Sequence, residues 1–337
     1  MAARLGEQLP PAQVSLPRLA GGGEFLSTLF ALAERLIMKF SYSLVSPTPD
    51  LLGESPVWDH ENQRLYWVDG VSRLIHCHVP ATGSFQSWQT PSMVGSIALG
   101  QGRTLVVGLA DGIYLLEIDK GDFSPLMVPD PVEPEVRFND GKNDRFGRFL
   151  CGTMGVQADP LGKLWRVDGE GNSSVFATGI RIFNSLCFSP DGLTMYFSDS
   201  LDRTIRAFSY GPGDAEIGDP RVFVDTDVFD SGPDGATVDA EGCLWVCLVQ
   251  VGKIARFTPR GKLDRLIDAP TDMPSCVAFG GEDFSILYVT SIKDSGSGRA
   301  ISRHPEGGCL FAIEGLGVRG LPEARFGVSP RAGSETA

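Results

Sequence analysis

The chain has 337 residues, 42% hydrophobic and 21% charged, enough to bury a sizeable core and typical of a folded globular protein. Its net charge of −13 excludes a nucleic-acid partner, since phosphate binding needs a basic face, and argues against an anionic membrane surface. Forty-one glycines and 23 prolines are spread along the chain, as in a turn-rich all-β protein.

In chain order, residues 1–37 read as an N-terminal extension, disordered or weakly helical. Its apolar run, Phe25–Ala33, is nine residues long, too short to span a bilayer, and Met38 offers a natural start. From about residue 45 a phrase recurs: an apolar strand, a turn with Asp or Gly, an aromatic-bearing strand, a turn, and a further strand. The aromatic or β-branched runs are Arg64–Asp69, Arg103–Gly108, Arg148–Gly152, Thr194–Asp199, Cys243–Cys247 and Ile286–Ser291. Turns such as Ser189-Pro-Asp-Gly192 and Asp239-Ala-Glu-Gly242 suit tight hairpins because Asp and Gly tolerate positive φ. Third strands follow at Lys163–Val167, Arg203–Tyr210 and Lys253–Thr258.

The first strand of each phrase carries an anchor: Glu54, Gly95, Asn139, Asn184, Asp234 and Ser275, successively 41, 44, 45, 50 and 41 residues apart. A period of roughly 40–50 residues with several strands per unit is the signature of a β-propeller. Six phrases predict an all-β, six-bladed propeller over residues 38–325, with 326–337 a flexible tail. The last blade is completed by Cys309–Ile313 and by the segment around residues 40–46, which closes the ring and removes a sheet edge.

Innermost strands line a propeller's channel, so equivalent positions form a ring. Glu54, Asn139, Asn184 and Asp234 then bring two carboxylates and two amide oxygens together, a hard-donor set for Ca²⁺, Mg²⁺ or Mn²⁺, with Zn²⁺ or Fe²⁺ less favoured by ligand type. Each residue alone is a common turn former; four in register point to a central metal site. Gly95 and Ser275 mark a side of the ring open to a ligand.

Seven scattered cysteines, mostly in apolar runs, read as free buried thiols and a cytoplasmic setting. Cys243 and Cys247 lack a second Cys or His pair for zinc. No Gly-x-Ser-x-Gly elbow is present, and His76 and His78, on one face of a peripheral strand, read as surface residues.

Gly53-Glu-Ser-Pro-Val-Trp58, Arg137-Phe-Asn-Asp-Gly-Lys142, Cys151-Gly-Thr-Met154, Asn184 with Phe188-Ser-Pro-Asp-Gly192, and Pro233-Asp-Gly235 with Asp239–Trp245 resemble the SMP-30/gluconolactonase/regucalcin family, in order, from about residue 50 to 315. The resemblance implies a six-bladed, metal-dependent lactonase. It matches Glu54, Asn184 and Asp234 to the metal ligands, and Arg137 and Asn139 to substrate-binding positions. One departure is Gln157, which stands where several sugar-lactone hydrolases carry an acidic residue contacting sugar hydroxyls. A neutral amide both donates and accepts, so hydroxyl binding survives while the preferred sugar changes. The loop Met154–Leu161 is expected to overhang the site.

The expected chemistry is hydrolysis of an aldono-lactone by a monomer or small homo-oligomer. One divalent ion polarises the carbonyl, and Asp234 acts as ligand and either base or holder of the water. Arg137 orients hydroxyls and helps neutralise the oxyanion. Two other readings share the metal: a calcium-binding regulatory propeller without turnover, and a hydrolase of arylesters or organophosphates. The latter would call for an apolar, aromatic pocket, for which Phe138, Met154 and Phe183 are candidates.

Overall fold

The computed structural model describes residues 40–46, 48–213 and 217–327. The reading made for residues 1–37 lies outside this set, as do all but the first two residues of the tail read over 326–337.

Six antiparallel four-stranded sheets make the six blades of a β-propeller. Their innermost strands are Gly53–Asp59, Val94–Leu99, Val136–Asn143, Phe183–Phe188, Pro233–Val238 and Pro274–Gly280. The sequence phrases account for three strands per blade; the fourth and outermost (for example Ser84–Gln89 and Leu263–Asp268) is mostly exposed, so it lacks the buried alternation that marks the others. The ring closes as expected: Ser41–Ser46 pairs with Leu310–Glu314 in blade 6, joining the first and last described strands in one sheet. Among the described residues, helix is limited to three single 3₁₀ turns, and no helix is long and apolar enough to cross a membrane.

The blades pack through their apolar faces. Tyr66, Val68, Ile97, Leu99, Leu105 and Val107 fill the interface of blades 1 and 2, and Trp245, Val277, Phe279 and Phe311 that of blades 5 and 6. Full burial of each such side chain contributes roughly 1.5–3 kcal/mol.

Each inner strand has a functional end and a structural end. At the functional end stands the anchor, and all six strands break register at or just beyond it. Such bulges twist a strand and re-aim its side chains, here toward the axis. The next residue down stitches neighbouring blades: Ser55 Oγ accepts from Ile97 N (2.9 Å), Asp140 Oδ2 accepts from Leu186 N (2.8 Å), and Ser185 Oγ donates to the Asp234 carbonyl. Between blades 5 and 6 the contact is steric, since a Cβ on Gly235 would lie 2.2 Å from Cys276 Sγ.

At the structural end the strands turn through Asx motifs. Asp239 Oδ1 accepts from the backbone N–H of Glu241 and Cys243, while Oδ2 accepts from Trp245 Nε1 and Arg256 Nε. Asp144 is held the same way, with Arg148 as its partner. Across this end runs the segment Leu316–Gly327. It hydrogen-bonds to Ala240, Phe284, Arg145, Asn143, Leu99 and Gly147, and places Glu323 3.5 Å from Lys142 Nζ. This end of the channel is therefore covered, and a ligand reaches the axis from the anchor end.

All seven cysteines are free and buried. His76 differs from the surface reading: its ring packs 5.0 Å from Trp67, with Nε2 3.2 Å from Asp50 Oδ1.

Candidate active site

At the anchor end lies a cavity of about 580 Å³, within the range of small-molecule sites. Glu54, Arg137, Asn139, Gln157, Asn184 and Asp234 all line it. Gly95 lines it too, and its lack of a side chain is enforced, because a Cβ there would sit 2.5 Å from the Asn139 carbonyl oxygen. Ser275 departs from its expected role on the open side. It is fully buried, donates to the Gly53 carbonyl and shares a 2.9 Å hydrogen bond with Thr290, so it serves blade closure.

The polar groups form one chain. Arg137 Nη1 donates to Asn139 Oδ1 (2.7 Å) and to its neighbour's carbonyl on Phe138 (3.0 Å). Asn139 Nδ2 donates to Asn184 Oδ1 (2.9 Å) and to the Phe183 carbonyl (2.8 Å). Asn184 Nδ2 donates to Ser200 Oγ (2.9 Å), which in turn donates to the Pro233 carbonyl (2.8 Å) beside Asp234. The carboxamide of Asn184 is thus fixed from both sides, leaving one lone pair of Oδ1 for the cavity. Ser200 was not singled out from the sequence. It follows the blade's second strand, and only the fold brings it beside Asn184.

Glu54 and Asp234 have no side-chain partner among the described residues. Glu54 accepts only from Ser55 N, and Asp234 from its neighbour Gly235 N–H. Burial, then the charge of Asp234, holds the Glu54 carboxyl well above its ordinary range. Asp234 is pushed up to about 8, by burial first and then by Asp140. Arg137 is drawn down to about 10 by burial, opposed by Glu54. Two desolvated carboxylates, Asp234 buried and Glu54 half-buried, without a bonded cation are electrostatically incomplete. Among the described residues no three His, Cys, Asp or Glu side chains gather into a metal set. The donors here are instead two carboxylates with a fixed carboxamide oxygen, which fits a hard divalent ion completed by water.

The walls are aliphatic: Leu52, Met93, Met154, Ile182, Met273 and Ile292 line the cavity, and no aromatic ring does so among the described residues. Phe138 and Phe183 are buried behind it. The loop after Met154 borders the mouth with Gln157, whose carbonyl accepts from Arg299 Nη2 (2.9 Å) across the opening. Arg299 and its loop, Ser295-Gly-Ser-Gly-Arg299, were also missed in the sequence.

A family model described as the SMP-30/gluconolactonase/LRE-like region matches residues 52–293. The chain is 35% identical over 281 residues to 6-deoxy-6-sulfogluconolactonase of Pseudomonas putida, covering 82% of this chain and 96% of that protein. It is 33% identical over 282 residues to regucalcin of Gallus gallus, with coverage of 82% and 94%. The solved structure of a calcium-binding regucalcin from Agrobacterium tumefaciens superposes with a TM-score of 0.80 at 29% identity, over 85% of this chain and 97% of that one. With most of the propeller, including all six anchors, inside the matched region, the chain belongs to the SMP-30/gluconolactonase/LRE-like family.

Proposed function

We propose that this protein is a metal-dependent lactonase that opens an aldono-lactone to its aldonic acid. The observation that carries this reading is one cavity holding two carboxylates without a side-chain partner, a carboxamide fixed from both sides and an arginine. Family membership supports lactone hydrolysis in general, and the names of the sulfogluconolactonase and regucalcin relatives support a sugar lactone and calcium, respectively.

Glu54, Asn184 and Asp234 would hold the ion, drawn from Ca²⁺, Mg²⁺, Mn²⁺, Zn²⁺ or Fe²⁺, with hard-oxygen chemistry favouring the first three. Such an ion supplies Lewis-acid polarisation of the carbonyl and acidifies water. Asp234, holding the ion through one oxygen, would use the other to take the proton of the attacking water and return it to the ring oxygen as that bond breaks. Arg137, steered by Asn139, binds the lactone's oxygens and offsets the developing oxyanion. Asn139 and Gln157 add amide groups suited to sugar hydroxyls. The absence of aromatic rings among the described lining residues favours this over an arylester substrate. Free, buried thiols support a cytoplasmic setting.

The test is pH-indicator hydrolysis of a lactone panel by metal-stripped protein, with each divalent ion restored in turn. Turnover is expected only with metal, and Asp234→Asn and Glu54→Gln should lose it while keeping the fold. Full activity without metal overturns the mechanism. Silence with every ion favours a calcium-binding propeller without turnover, the reading the regucalcin relatives also support.

A further inference from the structure

The cavity mouth carries a positive group that lactone hydrolysis does not require. Its charged lining residues, among those described, are Glu54, Asp234, Arg137 and Arg299. A divalent ion balances the two carboxylates, which leaves two guanidiniums facing the ligand. Arg137 is accounted for beside Glu54 and Asn139. Arg299 is not: it is exposed, and among the described residues its guanidinium bonds the Gln157 carbonyl rather than a carboxylate. In a chain of net charge −13, a guanidinium without a carboxylate at a cavity mouth is a deliberate positive spot, which attracts anions as they approach.

Its position is also fixed. Asp294 and Ile301 form an isolated β-bridge at the base of the loop, and Ser295 N donates to the Ala300 carbonyl (3.0 Å). Gly296 N donates to Asp294 Oδ1 (2.9 Å), the Ser295 and Ser297 hydroxyls share a 2.8 Å hydrogen bond, and Arg299 N donates to Ser297 Oγ (3.2 Å). Arg299 Nη2 spends one donor on the Gln157 carbonyl, and a guanidinium has five. The mouth thus presents a held guanidinium, with Ser295, Ser297 and Gln157 also lining the cavity.

From this we infer that the substrate is a sugar lactone bearing an anionic substituent, a sulfonate or phosphate, on the carbon farthest from the carbonyl, with Arg299 as its receptor. This rests on the lactonase reading above and narrows its substrate. A forked guanidinium matches two oxygens of such a group, whereas a neutral hydroxymethyl accepts only a single weaker hydrogen bond.

The experiment compares kcat/KM of the metal-loaded protein for glucono-lactone, its 6-phosphate and its 6-deoxy-6-sulfonate, in wild type, Arg299→Gln and Arg299→Lys. Calorimetric binding of gluconate and 6-phosphogluconate supplies a readout independent of turnover. Wild type should favour an anionic lactone, and Arg299→Gln should cut the anionic-to-neutral ratio roughly 10- to 100-fold, with matching weakening of 6-phosphogluconate. Lysine should restore part of the ratio. The better of the two anionic lactones identifies the substituent. A wild type that prefers the neutral lactone, or an Arg299→Gln ratio equal to wild type, overturns this inference and leaves the lactonase reading standing. No hydrolysis of any of the three with any metal overturns both.

Discussion

Asn139 holds the middle of the polar chain, so its replacement separates two roles that the same residue can play. In Asn139→Ala, Arg137 loses a charge-assisted acceptor at 2.7 Å, and Asn184 Oδ1 loses a donor at 2.9 Å. The Phe183 carbonyl loses a third bond. Asn184 is then fixed only through Ser200, and its oxygen is free to turn away from the proposed ion site. Loss of a partner that orients a metal ligand typically weakens metal binding 10- to 100-fold, or about 1.4–2.7 kcal/mol. The vacated space borders an open cavity and admits water, so the stability loss should stay near about 1 kcal/mol. Calcium or manganese titration by calorimetry reads the first quantity, and urea unfolding of the metal-free protein reads the second. Ser200→Ala loses two neutral hydrogen bonds, from Asn184 Nδ2 and to the Pro233 carbonyl, neither of them to Asn184 Oδ1, and should weaken metal binding less. Since Asn139 and Ser200 grip one carboxamide, their double variant should deviate from additivity by more than about 0.5 kcal/mol. If Asn139→Ala binds metal like wild type and only raises KM, the side chain is a substrate contact and the orienting role is wrong.

The other predictions concern the frame. Asp239→Ala leaves Trp245 Nε1 and Arg256 Nε without their buried acceptor, while Arg256 keeps Glu241 and Asp264, and should destabilise by about 1–3 kcal/mol, seen in the urea midpoint, with kcat/KM unchanged where the protein remains folded. Gly235→Ala forces a Cβ to 2.2 Å from Cys276 Sγ and 2.7 Å from its Cα. The displaced backbone beside Asp234 should therefore lower both Tm and metal affinity, whereas an unshifted Tm would mean that blades 5 and 6 separate freely. Metal at 100-fold its Kd should stabilise wild type by about 2.7 kcal/mol in calorimetric unfolding, and Asp234→Asn should lose most of that gain. Equal stabilisation of both proteins would move the ion away from Asp234.

What the sequence by itself determined was periodic. A six-fold recurrence of short apolar strands and Asp/Gly turns specified blade number and ring closure, because each blade must hide its faces against the next and obeys the same pattern each time. The same register singled out Glu54, Asn139, Asn184 and Asp234, since position along an inner strand sets depth in the channel, and all four line one cavity. The outer strands escaped notice because solvent on one side relaxes their pattern. Ser275 was misread because a serine's short hydroxyl can turn to the neighbouring blade, and only the packed fold shows that it bonds Gly53. Ser200 and Arg299 were invisible for a related reason: neither occupies a repeated position. Their partners, Asn184 and Gln157, lie 16 and 142 residues away in the chain: the first contact needs the blade's own hairpin, which pairs Asn184 with Ser198, and the second exists only once blades 3 and 6 stand in one ring.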